Sequence, residues 1–304
     1  MKVLVADKVN QAGIDALIAA GYDVDVKLDL SPEELIATIP SYDALAVRSA
    51  VQVSREVIEA GTNLKVIGRA GVGTDNIDKE AAAQKGIQVV NTPAANVVSA
   101  AEQTFALMLA CARNVAQANA SMHEGRWDRV QFTGLELNGR TLGIIGFGKI
   151  GTLLAERAIA FGMKIHAYDP YADPDYVTSH GAVLLTDLDE LLRTSDIISV
   201  HIPKTPETAG MIGAEQVALM KDDVILLNVA RGGIYDDEAL LDGLNSDKIW
   251  SVGIDVYDPE PVPSDYCLIG CTRAVLNPHL GASTKEAQIR AGTQLAEVMI
   301  EALS

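Results

Sequence analysis

Cysteine, aromatic residues and positive charge are all scarce in this sequence. Its 304 residues include three cysteines, Cys111, Cys267 and Cys271, and only 5% are aromatic. An odd set of cysteines provides no disulfide framework, and Cys267 and Cys271 lack the nearby second Cys or His pair that a zinc site needs. We therefore expect free thiols, no bound metal and a cytoplasmic protein.

Basic residues are outnumbered, with 24 Lys and Arg against 41 Asp and Glu and a formal net charge of −17. Such a charge argues against binding to nucleic acid or to an anionic membrane. No uncharged apolar stretch approaches about 18 residues, so no transmembrane helix is predicted. The apolar run at residues 3–6 is typical of a first strand rather than a signal peptide. An anionic substrate must therefore meet locally clustered arginines.

Hydrophobic residues make up 48% of the chain, which is enough for more than one core. Short β-branched segments alternate with helical ones through the first hundred residues, and the alternation restarts near Arg140, as in two βα domains. The helical pattern of residues 284–303 is expected to return to the first domain. We predict a substrate-binding domain of residues 1–97 and 283–304 and a second domain of residues 98–282.

Two helix starts are predicted from capping residues. Ser31 precedes a proline and two glutamates, and Ser99 has a glutamate three positions on, as in a capping box. The helix opened by Ser99 is predicted to reach about Val115. Its low charge suggests burial between domains or subunits.

A glycine-rich turn, Gly146-x-Gly148-x-x-Gly151, directly follows the apolar run at residues 141–145. The first glycine permits a tight turn, the second lets a pyrophosphate approach backbone amides, and the third allows a helix to pack closely on the strand. A second predicted strand ends at Asp169, where a carboxylate can accept hydrogen bonds from both adenosine ribose hydroxyls. No arginine follows closely, which favours NAD over NADP. The pattern predicts a Rossmann NAD-binding domain.

Six segments carry a more specific pattern: 68–76 (GRAGVGTDN), 91–93 (NTP), 136–143 (ELNGRTLG), 228–233 (NVARGG), 255–257 (DVY) and 277–281 (NPHLG). Together they resemble the D-2-hydroxyacid dehydrogenases, and within that family the D-3-phosphoglycerate dehydrogenases, over nearly the whole chain. The resemblance implies an α/β protein with two doubly wound parallel-sheet domains, in which a Rossmann NAD-binding domain is inserted into a discontinuous flavodoxin-like substrate-binding domain.

The resemblance implies a catalytic set of three residues. Arg231 is expected to grip the substrate carboxylate, for which a planar guanidinium is well suited. His279 is expected to take the hydroxyl proton as hydride leaves the same carbon. Glu260 is expected to orient that imidazole and favour its charged form. Formate dehydrogenases carry glutamine at this position, so the acid favours a hydroxyacid substrate.

The resemblance also implies contacts with cofactor and substrate. Asp255 and the backbone around Ala230 are expected to hold the nicotinamide carboxamide. The predicted cofactor residues are Gly146, Gly148, Lys149, Ile150, Gly151, Asp169, His201, Pro203, Ala230, Asp255 and Gly281. The predicted substrate residues are Arg48, Arg69, Val72, Gly73 and Asn91. Arg48 and Arg69 would suit a phosphate, although each could instead form salt bridges with nearby acids.

The segment Gly125-Arg126-Trp127-Asp128-Arg129 resembles one that reaches the neighbouring subunit in this family. It implies a homodimer or homotetramer in which Trp127 anchors the interface and Arg129 reaches a substrate phosphate from the partner. The alternative is a tryptophan buried within its own chain.

Three functions are compatible with these residues. The first is NAD-dependent oxidation of D-3-phosphoglycerate to 3-phosphohydroxypyruvate, which begins serine biosynthesis. The second is the same chemistry on hydroxypyruvate, glyoxylate or another 2-keto acid. The third is nucleotide sensing, as in the family's corepressors. Many phosphoglycerate dehydrogenases continue into a serine-binding regulatory domain, so we expect either a short form or the catalytic part of a longer protein.

Overall fold

The computed structural model describes residues 1–304, which form two compact units. One unit comprises residues 1–97 and 282–304, and the other comprises residues 98–281. The domain bounds predicted from the sequence differ from these by one residue: Ala282 was placed in the second unit and lies in the first. No helix in the structure combines the length and apolar character needed to cross a bilayer.

The first unit contains a five-stranded parallel sheet in the order β2-β1-β3-β4-β5. This is the flavodoxin-like order of a doubly wound fold. A 3-10 turn at residues 39–41 precedes β3. The elements are β1 Lys2–Val5, α1 Gln11–Ala19, β2 Asp23–Val26, α2 Pro32–Thr38, β3 Ala44–Val47, α3 Arg55–Ala60, β4 Val66–Arg69, α4 Lys79–Gln84, β5 Gln88–Asn91 and, from the far end of the chain, α12 Lys285–Leu303.

The second unit contains a seven-stranded parallel sheet in the order β12-β11-β10-β9-β6-β7-β8. Its first strand, β6, therefore lies between β7 and β9, so the strand order reverses there as in a Rossmann fold. The elements are α5 Val97–Arg113, α6 Val115–His123, β6 Thr141–Ile145, α7 Lys149–Ala160, β7 Lys164–Tyr168, α8 Pro174–Ser179, β8 Ala182–Leu185, α9 Leu188–Thr194, β9 Ile197–Val200, α10 Ala214–Leu219, β10 Val224–Asn228, α11 Asp237–Asn245, β11 Ile249–Ile254 and β12 Ala274–Leu276. The predicted fold class is confirmed in both units.

One predicted helix start is confirmed and the other is wrong. At α2, the Ser31 hydroxyl accepts from the Glu34 amide at 3.2 Å, and the Glu34 carboxylate accepts from the Ser31 amide at 2.9 Å. Ser99 is not a cap, because α5 begins two residues earlier, at Val97, and Ser99 is buried inside its first turn. The helix also ends earlier than predicted, at Arg113. The helix begins with two valines, Val97 and Val98, which are not capping residues, so nothing in the sequence marks its true start.

Both sheets are buried on two faces, which explains their nearly continuous apolar strands. In the first unit, alternate residues of each strand point to opposite cores. One core lies under α1 and α12, and the other under α2, α3 and α4. In the second unit, α5 and α7 cover one face and α9, α10 and α11 cover the other.

Helices α1 and α12 cross at two glycines, Gly13 and Gly292. A Cβ on Gly13 would lie 2.3 Å from the Gly292 carbonyl oxygen, whereas a Cβ on Gly292 would first meet the Asn10 side chain at 2.9 Å. A contact of the first kind can be relieved only by moving a helix backbone. The close crossing therefore depends on the missing Cβ of Gly13.

We expect Gly13→Ala to lower the free energy of unfolding by about 1–3 kcal/mol, the usual cost of overpacking. In an unpacked helix the same change would stabilise by up to about 1 kcal/mol, so the sign of the effect is diagnostic. Urea denaturation measures it. Gly213→Ala is the control, since a Cβ there meets nothing closer than 3.7 Å. A Gly13→Ala protein as stable as the parent would contradict the tight crossing.

Candidate active site

The glycine-rich turn lies between β6 and α7, at the point where the strand order reverses. Gly146 has φ +92°, and a Cβ there would lie 2.7 Å from the His201 carbonyl oxygen. A Cβ on Gly151 would lie 2.6 Å from the Gly146 carbonyl oxygen. These two glycines are required by the protein's own packing. A Cβ on Gly148, in contrast, would meet nothing within 4 Å.

The open space at Gly148 fits a ligand that approaches the backbone. Gly148 is the N-cap of α7, and its position has no side chain to satisfy the first-turn amides. The backbone amides of Lys149 and Ile150, in the first turn of α7, are therefore available to bind an anion such as a pyrophosphate. The arrangement of the turn fits NAD.

Asp169 follows β7 and contacts the same turn. Its Oδ2 accepts from the Phe147 amide at 2.9 Å, and its Oδ1 accepts from the Tyr171 amide at 2.9 Å. Each oxygen of a carboxylate can accept a second hydrogen bond. Asp169 is thus held in place by backbone and keeps acceptor capacity for a pair of ribose hydroxyls.

The turn after β10 carries Ala230 and Arg231. Asn228, the last residue of β10, is 2% exposed, and its side chain bridges this turn. Its Oδ1 accepts from the Ala230 amide at 3.0 Å, and its Nδ2 donates to the Arg231 carbonyl at 2.8 Å. The Arg231 guanidinium also donates to the Ala230 carbonyl at 2.7 Å. A buried amide therefore fixes the backbone from which the predicted carboxylate-binding arginine extends.

His279 and Glu260 form a hydrogen-bonded pair. The distance from His279 Nδ1 to Glu260 Oε2 is 2.7 Å, and Glu260 Oε1 accepts from the Tyr257 amide at 2.9 Å. Because an ionised carboxylate only accepts, Nδ1 must carry the proton, and Nε2 of the neutral ring is the basic nitrogen. About half of the imidazole side chain is exposed. It is the only histidine in the chain that is paired with a carboxylate.

The segment that carries His279 is held by residues that follow the neighbouring strand, β11. Asp255 is fully buried, and its two oxygens accept from the Leu280 and Gly281 amides at 2.8 and 2.7 Å. Burial raises the pKa of the Asp255 carboxyl above its usual range, against the opposing effect of the two amides. The Tyr257 hydroxyl donates to the Asn277 carbonyl at 2.9 Å. A contact between Asp255 and the nicotinamide stays a prediction, whereas its hold on the His279 segment is direct.

His201 and Pro203 follow β9, opposite the glycine turn. The ring of His201 lies 2.9 Å from the Ser199 hydroxyl through Nε2, and burial lowers its pKa to about 4. His201 is therefore neutral near neutral pH and is poorly suited to proton transfer.

No sequence pattern selected Lys204, whose ammonium forms an ion pair with Asp258, two residues before Glu260. This pair connects the turn after β9 to the turn that carries Glu260.

The first unit carries the other predicted substrate residues. Arg48 follows β3 and Arg69 ends β4, and one side chain, that of Asn76, hydrogen-bonds to both. The Asn91 side chain donates to the Val72 carbonyl and so fixes the turn that contains Gly73. The Arg48 guanidinium donates to the Lys8 carbonyl at 3.2 Å rather than to an acidic side chain. For Arg48, the alternative of a salt bridge is therefore not supported.

A small pocket in the first unit adds residues that the sequence did not reveal. Arg48 lines it together with Lys8, Asn96 and Gln288. Asn96 Oδ1 is buried with no hydrogen-bond partner. Lys8 and Arg48 follow β1 and β3, Asn96 directly precedes α5, and Gln288 lies in α12. No local pattern could have connected residues so far apart in sequence.

Trp127 lies on the surface of the second unit. It is 79% exposed, and Val130, three residues on, is 87% exposed. The alternative of a tryptophan buried within its own chain is therefore wrong.

Comparisons with known proteins agree with this geometry. Residues 105–281 match the family described as D-isomer specific 2-hydroxyacid dehydrogenase, NAD binding domain. A D-3-phosphoglycerate dehydrogenase of Archaeoglobus fulgidus is 47% identical over 99% of this chain and 57% of its own length. A hydroxypyruvate reductase of Thermotoga maritima is 49% identical over 90% of this chain and 89% of its own. The crystal structure of a Thermus thermophilus protein has a TM-score of 0.91 and 35% identity, covering 100% of this chain and 97% of that one.

The fold and these matches define a protein of two α/β units, one of which carries the NAD-binding domain of the matched family. More specifically, the chain belongs to the D-isomer specific 2-hydroxyacid dehydrogenases, and its cofactor is NAD. The chain spans about half the length of the curated phosphoglycerate dehydrogenases that it matches, 57% for the Archaeoglobus protein.

We expect Glu260→Gln to lower kcat by between about 100-fold and 10,000-fold, the range seen for general acid-base catalysis and its orienting groups. The glutamine amide would donate to Nδ1, so that the proton would sit on Nε2 and the ring could not accept one there. Steady-state kinetics measures the loss, and the Kd for NADH checks that the cofactor site is intact. Glu156→Gln, at an exposed position on α7, is the matched control. Unchanged turnover in Glu260→Gln would refute the assignment.

Proposed function

We propose that the chain catalyses the NAD-dependent oxidation of D-3-phosphoglycerate to 3-phosphohydroxypyruvate and the reverse reduction. The observation that carries the proposal is the His279–Glu260 pair, whose 2.7 Å hydrogen bond leaves Nε2 as a base. The identity to phosphoglycerate dehydrogenases supports this substrate. We further propose that the first unit is the substrate-binding domain and that the second is the NAD-binding domain.

In the oxidative direction, the substrate hydroxyl donates to His279 Nε2, and its proton moves there as the C2–H bond breaks. Glu260 accepts the hydrogen bond from Nδ1 and stabilises the charge that develops on the ring. Arg231 binds the substrate carboxylate and fixes the orientation of C2. In the reverse direction, His279 returns the proton to the carbonyl oxygen.

NAD, when bound, supplies the nicotinamide ring that accepts the hydride. We propose that the chain holds its pyrophosphate at Gly148, Lys149 and Ile150 and its adenosine ribose at Asp169. The other predicted cofactor contacts, at His201, Pro203, Ala230, Asp255 and Gly281, belong to the same proposal.

The phosphate of the substrate is assigned to the pocket that Arg48 and Lys8 line. A phosphate monoester carries close to two negative charges at neutral pH, so it needs cations and hydrogen-bond donors together. Arg48 and Lys8 supply charge, and Asn96 and Gln288 supply amides. The chain as a whole has a net charge of −17. A local pair of cations in this pocket therefore favours a doubly charged anion over a less charged one.

A specific observation favours a second candidate function, reduction of an unphosphorylated 2-keto acid. The Thermotoga maritima relative is named a hydroxypyruvate reductase, is 49% identical and is covered over 89% of its length. The proton-transfer pair and Arg231 serve both reactions equally. The two functions therefore differ only in what the first unit binds.

Initial rates of NADH oxidation distinguish the candidates. 3-Phosphohydroxypyruvate should be compared with hydroxypyruvate, glyoxylate and pyruvate at matched concentrations, with NADPH as the cofactor control. We expect the highest kcat/KM with the phosphorylated keto acid and NADH. Higher kcat/KM with hydroxypyruvate would support the second candidate. Binding of NADH without turnover of any acid would favour a nucleotide-sensing protein.

Arg48→Ala should raise the KM for 3-phosphohydroxypyruvate by about 10-fold to 100-fold, since a charge-assisted hydrogen bond contributes about 1.5–3 kcal/mol. The KM for hydroxypyruvate should change little, because that substrate lacks the phosphate. The same kinetics on Arg55→Ala is the matched control, as Arg55 belongs to the same unit but forms an exposed ion pair with Asp78 at 3.6 Å. Equal losses for both substrates in Arg48→Ala would contradict the phosphate assignment.

We also propose that the chain is a cytoplasmic homo-oligomer, in which Trp127 and Val130 bury their exposed side chains against a second copy. The family resemblance of this segment and its exposure support the oligomer, and three free cysteines support the compartment. The resemblance also suggests that Arg129 reaches the partner's substrate.

Light scattering after size-exclusion chromatography tests the oligomer. The parent should elute at twice or four times the mass of the chain, and Trp127→Ala should shift the population towards smaller species as the protein is diluted. Tyr171→Ala is the control, because Tyr171 is 97% exposed in a different part of the same unit. A monomeric parent would overturn the proposal.

A further inference from the structure

Asp7 connects two turns of the first unit. It follows β1, and Arg48 follows β3, the strand that pairs with β1. The Asp7 Oδ1 accepts from the Lys8 amide at 2.7 Å, and its Oδ2 accepts from the Arg48 and Ala50 amides, both at 3.0 Å. Lys8 and Arg48 are the two cationic residues of the pocket to which the phosphate is assigned. One carboxylate therefore holds the backbone at both of them.

The Asp7 carboxylate is well suited to this task. Asp7 is only 8% exposed, so its side chain needs hydrogen-bond donors in place of water, and three backbone amides provide them. An ionised carboxylate has only acceptors, which matches a site where every partner is an N–H group. The Val9 amide also donates to the Asp7 carbonyl at 2.8 Å, which keeps the turn after β1 compact. Both turns are therefore fixed at Asp7.

The side chains of Lys8 and Arg48 share the pocket. The Arg48 guanidinium donates to the Lys8 carbonyl at 3.2 Å, so the arginine lies against the turn that carries the lysine. Two cations in one small pocket repel each other, and the fold has to hold them together. The Asp7 oxygens bind backbone amides, and neither cationic group forms an ion pair with them. Both groups therefore keep their charge for an anionic ligand.

We propose that Asp7 is a positioning residue that presents Lys8 and Arg48 together to the phosphate of the substrate, an inference that rests on the proposed function. Asp7 acts through the backbone of residues 8 and 48. The two cations are thus placed before the phosphate arrives, and less ordering has to accompany binding. The buried negative charge of Asp7 also offsets part of the repulsion between the two cations.

Asp7→Ala tests this role through the sign of its effect in steady-state kinetics. By charge alone, the loss of a carboxylate beside an anion pocket would lower the KM for 3-phosphohydroxypyruvate. If Asp7 positions the two cations, that KM should instead rise by about 10-fold to 100-fold, because the contacts of both with the phosphate are weakened. The kcat and KM for hydroxypyruvate and the Kd for NADH should stay within about twofold of the parent.

Asp7→Asn is the conservative variant. It keeps the size and one acceptor oxygen, but its NH2 group must face at least one of the three backbone amides. It should raise the KM for the phosphorylated acid by about 3-fold to 10-fold, less than Asp7→Ala does. Should Asp7→Ala fail to fold, Asp7→Asn carries the test.

Asp43→Asn is the matched control. The Asp43 carboxylate accepts from the Lys2 amide at 2.8 Å and so connects the same two strands at the opposite edge of the sheet. This variant should leave the ratio of the KM values for the two acids unchanged, because Asp43 is remote from the pocket residues. A change in that ratio as large as the one in Asp7→Asn would overturn the inference.

A multiple-variant comparison separates positioning from a general loss of structure. When Lys8 and Arg48 are both replaced by alanine, adding Asp7→Asn should raise the KM no further, because Asp7 acts through them. If the parent prefers the phosphorylated acid and the Asp7 variants keep or lower its KM, the inference is overturned and the proposed function stands. If the parent shows no such preference, the phosphate assignment fails and the inference fails with it. Equal losses on both substrates would also overturn it.

Discussion

The parallel pairing of every strand is the constraint on which the site depends. Parallel strands bring all their carboxyl ends to one edge of a sheet, so the turns that follow them become neighbours. In the second unit, the turns after β6, β9, β10 and β11 therefore supply the glycine loop, His201, Arg231 and Glu260. In the first unit, β3 and β4 place Arg48 and Arg69 at adjacent strand ends. The chemistry is assembled by the sheets from residues far apart in sequence.

The turn after β11 shows how closely such an edge can fix a reactive group. Within six residues it supplies the Asp255 carboxylate to two amides, the Tyr257 hydroxyl to a carbonyl and the Glu260 carboxylate to an imidazole. All of these partners lie in the segment 277–281 after β12, the strand that pairs with β11. His279 has φ +54°, a conformation that is uncommon for a residue with a side chain and persists where neighbours determine it. The base is therefore positioned by backbone contacts as well as by its carboxylate.

Much of this architecture could be predicted from the sequence, because its signals are local. The apolar runs at residues 3–6 and 141–145 predicted β1 and β6, Ser31 predicted the capping box of α2, and the spacing of three glycines predicted a dinucleotide turn. Two kinds of feature escaped prediction: a helix start without a capping residue, and contacts between residues far apart in the chain. Ser99 looked like a helix cap, but α5 begins at Val97. Lys8, Asn96 and Gln288 have no common motif, because only the folded sheet and α12 bring them to Arg48. The roles of Arg231, Glu260 and His279 rested on family resemblance, and periodicity alone would not have selected them.

The crossing of α1 with α12 has a consequence for the order in which the chain acquires its structure. The core beneath β1, β3 and β4 is completed by Leu295 and Met299, nearly three hundred residues after its first strand emerges from the ribosome. Residues 98–281, by comparison, are contiguous and contain all their own partners for the seven-stranded sheet. Contacts so distant in sequence form slowly, since a long loop must close before they do. During synthesis the nucleotide-binding unit can fold first, while in the first ninety-seven residues the part of the sheet face that α12 covers is still exposed.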